Sequence, residues 1–350
     1  MAGSHFPHRH PDASVPLADG TFRASSATLA CSTAPPLPQE DHRMHAFAPR
    51  PARTIAAGAA LVAGTLLLTA CGSSGSGKPS EDDLHARLPE SIRTKGVLKI
   101  ASDLNYAPVE FKASDGSAVG IDPDIAAELG KQLGVKVEIA DTAFDKLIPG
   151  LQAGDFDLAM SAMTDNRQRR EGTDDNGKVV NPGVDFVDYF IAGTQMLVPK
   201  GNPEKIAKLD DLCGHTVALQ RGTTQDAIVE RQVGACARAH KPLTVKLFDN
   251  DTEALAELAA GRADADLNDY PVAAYVAAKG GPNGAKFDIA GAQLQPSPYG
   301  IAVNKKNTEL RDVLVKALNQ MIRDGSYENI LQKWGVAAGA AQNAVVNGGF

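Results

Sequence analysis

The chain has 350 residues, of which 43% are hydrophobic and 22% are charged. This length and this apolar content allow a large buried core and suggest two domains with some additional tail. The formal net charge of −7 argues against nucleic acid as a general partner.

The N-terminal part has the composition of an export signal that follows a leader. Residues 1–43 are rich in His, Pro and Ser and have no apolar period, so we expect them to be disordered or to precede the true start at Met44. Within residues 44–70, basic residues come before an uncharged apolar run over 55–70. That run is short for a transmembrane helix and fits the apolar region of a signal peptide.

The predicted signal ends in the sequence Leu-Thr-Ala-Cys, residues 68–71. This ending resembles the lipobox of bacterial lipoproteins, in which the Cys becomes the lipidated first residue; an ordinary signal peptide or membrane anchor is the alternative. Residues 71–92 begin rich in Gly and Ser and then become charged, as expected of a flexible tether. We therefore expect an exported protein that Cys71 anchors to the outer face of the cell membrane.

The chain contains four cysteines. Cys31 lies in the leader and Cys71 is assigned to the lipid, which leaves Cys213 and Cys236 as one pair in an oxidising compartment. We expect a disulfide between them, with two free buried thiols as the alternative. The sequence has no Cys-x-x-Cys or His-Glu-x-x-His spacing, so we expect neither a metal nor another cofactor.

Strand and helix patterns alternate after the tether. The first helix is expected to have Asp122 as its cap and Gly134 at its end. The predicted elements are, in order, strand 97–102, helix 120–134, strand 135–140, helix 144–154 and strand 155–163. Strands that alternate with helices indicate parallel βαβ units and a sheet with helices on both faces.

The same alternation recurs in the second half of the chain. There the predicted elements are strand 216–220, helix 223–232, strand 243–248, helix 251–261 and strand 263–268. The pattern Leu-x-Ala-Gly-x-x-Asp at residues 151–157 is repeated at 258–264. We therefore expect an α/β fold of two similar lobes with a cleft between them. A last helix is predicted to end at Gly325, and residues 338–350 are expected to form a loose tail.

Polar residues follow the predicted strands at the positions where open α/β sheets bind ligands. A helix that starts near Thr164 or Asp165 would place Arg167 and Arg170 together on a solvated face and Arg169 on another face, because successive residues turn by about 100°. A guanidinium beside the free N–H groups of such a helix can bind a carboxylate, and three solvated arginines are the alternative.

Two further strand ends in the second half carry candidate ligand groups. Thr223 and Thr224 are expected to cap the next helix and to present donors to an anion. Asp269 ends a strand and opens a helix, either as the N-cap of that helix or as a carboxylate that holds an ammonium group.

Several of these stretches, taken in order, resemble the solute-binding proteins of polar amino-acid ABC transporters, family 3. The resemblance covers about residues 92–336 and rests on ASDLNYAPVEF, GIDPDIAAELGKQLGVKVE, FDKLIPGLQAGDFDLAMSAMTDNRQRR, DFVDYF, VALQRGTTQD, GRADADLND and DGSYENILQKWG. It implies a type II periplasmic-binding-protein fold that closes about two hinge segments. Lobe 1 would comprise residues 93–192 and 299–337, and lobe 2 residues 193–298.

The resemblance also implies roles for individual residues. Arg169 would bind the α-carboxylate of an amino acid with help from Thr164 and the Thr224 backbone, and Asp269 would bind the α-ammonium group. Residues 161–164 would form the floor of the pocket. The full candidate site comprises Asp103, Tyr106, Phe144, Ser161, Met163, Thr164, Arg169, Gln220, Thr223, Thr224 and Asp269.

The side chain that this pocket prefers is left open between two classes. Asp103 with Tyr106 and Phe144 suits a cationic head on an aliphatic stem. Gln220, together with Val109 in place of the family's usual Phe, is compatible with a neutral amide. Residues 171–184 depart from the family's spacing and are expected to form a surface loop.

The implied function is capture of a free polar amino acid, which a monomer would deliver to the permease subunits of an ABC importer. One alternative is an exported dehydratase of the cyclohexadienyl or arogenate type on the same scaffold. Such an enzyme would need a general acid in the cleft, for which Asp103 and Glu110 are the candidates. A receptor ectodomain or interaction module is the third class.

Overall fold

The structure is a computed structural model that describes residues 83–174 and 176–350. All of these residues belong to one compact unit, Ser73–Phe350. The predictions for the leader 1–43, the signal peptide 44–70 and the lipidated Cys71 lie outside the described residues. Within the described ranges, no helix has the length and apolar character needed to span a membrane.

Strands and helices alternate over most of this unit, as the hydrophobic periodicity predicts. The strands are β1 (Val97–Ser102), β2 (Asn105–Tyr106), β3 (Glu110–Lys112), β4 (Ala118–Val119), β5 (Lys136–Asp141), β6 (Leu158–Ala159), β7 (Val184–Pro199), β8 (Thr216–Gln220), β9 (Thr244–Phe248), β10 (Ala265–Asp269), β11 (Phe287–Asn304) and β12 (Ala340–Val346). The α-helices are α1 (Glu90–Lys95), α2 (Ile121–Leu133), α3 (Leu147–Ala153), α4 (Arg167–Glu171), α5 (Thr224–Arg238), α6 (Asp251–Ala259), α7 (Tyr270–Lys279), α8 (Thr308–Asp324) and α9 (Ser326–Trp334).

One large sheet runs through the unit in the order β5-β1-β6-β11-β7-β10-β8-β9. At its two ends the strands are parallel: β1 pairs with β5 and β6, and β8 pairs with β9 and β10. In the middle, β7 and β11 pair antiparallel with each other. The parallel ends are the predicted βαβ units. The antiparallel centre was not predicted, and it arises because β7 and β11 carry the chain out and back between the two ends.

These long central strands connect the two lobes of the fold. Residues 184–190 of β7 pair with 299–304 of β11 on the side of β6, and residues 194–199 pair with 287–294 on the side of β10. Between these portions the register of the β7–β11 pair shifts repeatedly. The expected lobe boundaries, after residues 192 and 298, fall inside this irregular stretch.

Each lobe buries the apolar positions that the helical periodicity predicts. In lobe 1, α2 packs against α8 and α9, and its Ile125, Leu129 and Leu133 are fully buried. In lobe 2, Cys213 and Cys236 form a disulfide with Cα atoms 5.0 Å apart. The predicted disulfide is therefore confirmed, and the alternative of two free buried thiols is wrong.

The structure corrects the prediction for the entry into α2. The N-cap of this helix is Gly120, and Asp122 lies buried inside its first turn. Gly120 has φ of 139°, and a Cβ at this position would lie 2.2 Å from the backbone oxygen of Val109. A glycine is needed there, and the Asp122 carboxylate is left to bind other groups.

Both ends of the described unit are also more ordered than the sequence suggests. Residues 83–92 were expected to belong to the tether, but Leu84, Leu88 and Ile92 are buried in the core of lobe 1. Residues 338–350 do not form a loose tail, because β12 pairs antiparallel with β7. Apolar contacts with lobe 1 hold residues 84–92, and backbone hydrogen bonds with β7 hold β12. Neither set of contacts can be read from the residues nearby in sequence.

Candidate functional site

A polar pocket lies where strands from both lobes end. Asp103 follows β1, Gln220 ends β8 and Asp269 ends β10. β6 is shorter than predicted, so the chain leaves the sheet after Ala159, and Ser161, Ala162 and Thr164 line the floor of the pocket. The lining residues are Asp103, Tyr106, Glu110, Phe144, Ser161, Ala162, Thr164, Arg169, Gln220, Thr223, Thr224, Gln225 and Asp269.

Arg169 extends from α4 into this pocket. The helix begins at Arg167, later than expected, and its N-cap Asn166 accepts a hydrogen bond from the Arg169 backbone at 2.9 Å. The Arg169 guanidinium donates to the backbone oxygens of Thr164 (2.9 Å) and Gly222 (3.2 Å). It also lies 5.2 Å from the centre of the Phe144 ring, within the range of a cation–π contact.

The three arginines of α4 have three different environments. Arg167 is exposed and pairs with Glu171 at 2.8 Å. Arg170 was expected to share this solvated face, but it is largely buried and pairs with the fully buried Asp165 at 2.9 Å. Burial lowers the pKa of Arg169 to about 10, so its guanidinium stays charged at neutral pH. Arg169 is therefore the cation of α4 that faces the pocket.

Asp269 lines the same pocket as Arg169, at the start of α7. It occupies the N-cap position, but its side chain makes no capping hydrogen bond. Its carboxylate instead accepts from the Tyr106 hydroxyl (3.2 Å) and the Gln225 amide (2.8 Å). Burial raises the pKa of Asp269 to about 6. Asp269 lines the pocket, and because burial disfavours its charge, a cation bound there would stabilise the ionised carboxylate.

The helix that follows β8 contributes two threonines, as predicted. Thr223 is the N-cap of α5, and its hydroxyl accepts from the backbone of Asp226 at 3.1 Å. The Thr224 hydroxyl lies 3.4 Å from that of Thr164, so the two lobes approach each other here. Since α5 begins at Thr224, its first N–H groups point toward the pocket side of lobe 2.

The lobe 1 wall of the pocket is a hydrogen-bonded chain. The Ser161 hydroxyl accepts from the backbone of Asp103 at 3.0 Å and donates to Glu110 at 2.9 Å. Burial, together with the negative charge of Asp122, raises the pKa of Glu110 well above its usual value. Asp122 itself accepts from the Tyr189 hydroxyl at 2.6 Å and the Ala162 backbone at 3.0 Å. Glu110 therefore holds a proton more tightly than an exposed carboxyl group does.

One predicted residue lies outside the pocket, and others were missed. Met163 is buried in the apolar core of lobe 1 with Leu147 and Phe186, because its side chain points away from the floor. Glu110 was not assigned to the ligand site, although an acid within the apolar stretch APVEF is a signal that could have found it. Gln225 and Ala162 carry no comparable signal.

The loop that departs from the family's spacing lies beside the mouth of the pocket. Thr173 and Val179 form an isolated antiparallel bridge, and Val179 is exposed. Asp174 and Asn181 line the same surface groove as Arg169. Among the described residues, no group of three or more His, Cys, Asp or Glu side chains is placed to hold a metal ion.

Known proteins share this architecture. The sequence model of the bacterial extracellular solute-binding proteins, family 3, matches residues 98–337. The arginine-binding protein ArgT of Corynebacterium glutamicum is 28% identical over 309 residues, which make up 85% of this chain and 96% of that protein.

Solved structures are similar over the same region. An ancestral arginine-binding protein bound to glutamine is 38% identical, with a TM-score of 0.60 over 69% of this chain and 98% of its own. An ancestral amino acid-binding protein, a precursor of cyclohexadienyl dehydratase, is 34% identical, with a TM-score of 0.59 over 70% of this chain and 97% of its own. The named relatives are binding proteins rather than enzymes.

Proposed function

Because this chain belongs to the bacterial extracellular solute-binding proteins, family 3, we propose that its pocket captures a free polar amino acid for import. The observation that carries the proposal is that Arg169 and Asp269 line one pocket between the lobes. A zwitterionic amino acid needs a cationic partner for its carboxylate and an anionic partner for its ammonium group. The two partners must lie close together, because both ligand groups are bonded to the same Cα atom. Both groups are desolvated, which strengthens their interaction with a charged ligand.

Each end of the amino acid has a defined set of partners. The α-carboxylate binds the Arg169 guanidinium, with the Thr164 hydroxyl and the Thr224 backbone N–H as further donors. The α-ammonium group binds Asp269, whose carboxylate Tyr106 and Gln225 already hold in place. The hinge segments lie in the irregular stretches of β7 and β11, where the register shifts allow the lobes to open and close about the ligand.

The charge of the residues that line the pocket favours a ligand with a basic side chain. After Arg169 and Asp269 bind the zwitterion, Asp103 stays as a carboxylate in the pocket wall. A cationic group would compensate it, and the Tyr106 and Phe144 rings would pack on an aliphatic stem. ArgT is named as an arginine-binding protein. The neutral amide class stays as the alternative, since the ancestral arginine-binding protein was solved with glutamine.

The proposed permease partner follows from the family, and the proposed attachment to the membrane follows from the sequence. The protein acts as a monomer that hands its ligand to the transmembrane permease subunits of an ABC importer. The apolar run over 55–70 and the Leu-Thr-Ala-Cys ending support export and attachment through a lipidated Cys71. The tether then keeps the two lobes near the outer face of the membrane.

Ligand screening tests this proposal. Thermal unfolding of the protein from residue 72 onward is followed with each amino acid in turn, and calorimetry gives the affinity of each one that binds. A ligand that binds the folded state alone raises the midpoint. We expect arginine, lysine or ornithine to raise it most. If no amino acid raises the midpoint, the proposed function is wrong.

A dehydratase on the same scaffold is the second candidate function. The observation in its favour is Glu110, a buried pocket acid whose pKa is raised well above its usual value by burial, since a protonated carboxyl can act as a general acid. The similarity to an ancestral amino acid-binding protein named as a precursor of cyclohexadienyl dehydratase supports testing this candidate. Turnover of prephenate or arogenate, lost in Glu110→Gln, would favour this candidate over a binding protein.

A further inference from the structure

The last residues of the chain lie against the helix that carries Arg169. Residues 347–350, which we call the C-terminal segment, follow β12 and lie beyond residue 337, where the family match ends. They contact α4 and the loop before it, and Phe350 lines a surface groove that Arg169 also lines. Neither the family match nor the proposed function gives this segment a role.

Asn347 fixes the register of the C-terminal segment on β7. Its backbone N–H donates to the Phe186 oxygen at 3.1 Å, and its side-chain oxygen accepts from the Phe186 N–H at 2.8 Å. Its side-chain amide donates to Asp185 at 3.1 Å. The residues that follow Asn347 therefore leave β7 in a fixed direction, toward α4.

The C-terminal segment completes a buried ion pair behind α4. The Gly349 N–H donates to the Asp165 carboxylate at 2.8 Å, and the Gly349 oxygen accepts from the Arg170 guanidinium at 2.7 Å. Arg170 and Asp165 also pair directly, and Asp165 is fully buried. The Arg167 N–H donates to the Phe350 oxygen at 2.9 Å. Loss of one of these partners would leave a buried charged group short of a hydrogen bond, which is costly.

Asp165 lies between the two residues that direct Arg169. Thr164, before it, provides the backbone oxygen that holds the Arg169 guanidinium. Asn166, after it, provides the N-cap that accepts from the Arg169 backbone. A shift of Asp165 therefore moves both groups that set the direction of the Arg169 side chain.

We propose that the C-terminal segment belongs to the ligand-binding machinery: by closing the Asp165–Arg170 pair, it positions Arg169 for the ligand carboxylate. Arg170 and Gly349 are positioning residues, since neither lines the pocket. The effect on affinity rests on the proposed function, whereas the effect on α4 does not.

Gly349 offers a point substitution that acts on this contact. A Cβ at Gly349 would lie 2.0 Å from the backbone oxygen of Asp165, so Gly349→Ala cannot dock as the wild type does. The matched control is Gly234→Ala in α5, where a Cβ would meet only the Arg238 guanidinium at 3.6 Å. Arg170→Lys keeps the positive charge but cannot reach all of the oxygens that Arg170 holds, and it serves as a second variant if Gly349→Ala does not fold.

Hydrogen exchange and calorimetry on the full chain test the proposal. In Gly349→Ala and Arg170→Lys we expect the amides of α4 to exchange about tenfold faster without ligand, while those of α5 are unchanged. The Kd for the amino acid that the wild type binds should rise about tenfold, the effect of one lost charged hydrogen bond. Gly234→Ala should match the wild type in both measurements.

Three results would overturn the proposal: unchanged exchange in α4, faster exchange spread evenly over both lobes, or faster exchange in α4 with an unchanged Kd. The first two apply even without a ligand. If the wild type binds no amino acid, the proposed function fails, and exchange in α4 still decides whether the C-terminal segment positions that helix.

Discussion

Gln220, at the end of β8 in lobe 2, donates a hydrogen bond of 2.7 Å to the carboxylate of Asp103, which directly follows β1 in lobe 1. Asn105 donates to the other oxygen of the same carboxylate, also at 2.7 Å. Burial raises the pKa of Asp103, so this carboxylate depends on such donors. The pair joins the two lobes directly at the pocket, and a ligand side chain that enters there meets a carboxylate and an amide together.

Asp103→Asn should change selectivity more than overall binding. Removing the negative charge takes away the partner of a cationic ligand side chain, so the affinity for arginine or lysine should fall about tenfold, the range expected for one charge-assisted contact. The affinity for glutamine should change little. Calorimetry with both ligands measures the ratio. Asp115→Asn, at an exposed turn, is the control, and an unchanged ratio in Asp103→Asn would contradict the role of this carboxylate.

Arg169→Ala should remove most amino-acid binding. The guanidinium provides two donors to the α-carboxylate, and the loss of charged hydrogen bonds worth about 3 kcal/mol weakens binding roughly 100-fold. The ligand-induced rise of the thermal midpoint should disappear. Arg167→Ala removes an exposed arginine of the same helix and should leave the rise intact. Binding by Arg169→Ala at wild-type affinity would contradict the assignment of the carboxylate site.

Affinity should fall at acid pH because of Asp269. Burial raises the pKa of this carboxyl to about 6 in the protein without ligand, and only the ionised form attracts an ammonium group. Below about pH 6 the ligand must displace a proton, so affinity should fall by up to tenfold per pH unit, whereas above about pH 7 this group should cause no change. Kd measured from pH 8 to pH 5 gives the profile.

Asp269→Asn should bind amino acids weakly. Its Kd should also lose the part of the pH dependence that comes from the Asp269 carboxyl group. Asp288→Asn is the control, because this exposed carboxyl pairs with Lys200, which lowers its pKa. A wild-type profile that is flat between pH 7 and pH 5 would show that Asp269 does not hold the ammonium group.

The disulfide should stabilise lobe 2 without a direct effect on the ligand. Cys213 and Cys236 are 23 residues apart, and closing a loop of that length constrains the unfolded chain by about 3 kcal/mol. The double variant Cys213→Ala/Cys236→Ala should lose about that much free energy of unfolding in urea. The amino-acid affinity at 25 °C should stay close to that of the wild type, since neither cysteine lines the pocket. Equal urea midpoints for the two proteins would contradict the prediction.

Much of the fold could be predicted from local sequence, because its signals are periodic. The apolar stripe of α2 and the alternation of strands with helices predicted the parallel strand pairs at the two ends of the sheet. The rule that ligands bind at strand ends pointed to the arginines of α4 and to Asp269, and the family resemblance then implied ligand roles for Arg169 and Asp269. Helical geometry separated Arg169 from its neighbours, since each residue turns by about 100°.

Local sequence could not show what depends on distant partners. Arg170 was expected in solvent because nothing near it in sequence shows that Gly349 and Asp165 would enclose it. Asp122 was expected to cap α2. Nothing near it in sequence shows that its carboxylate would accept a hydrogen bond from Tyr189, which lies 67 residues away. The C-terminal segment has the sequence Asn-Gly-Gly-Phe, which has no hydrophobic period, so its contacts with β7 and α4 could not be predicted.

The sequence by itself predicted the fold class from its periodicity and a cysteine pair from the oxidising compartment, and its resemblance to a known family implied the two charged groups that line the pocket. Only the tertiary structure decided which arginine is buried, which acids share the pocket wall and how the chain end is held. Those outcomes depend on hydrogen bonds and burial between residues far apart in sequence, where a polar group is stable only if a distant partner satisfies it.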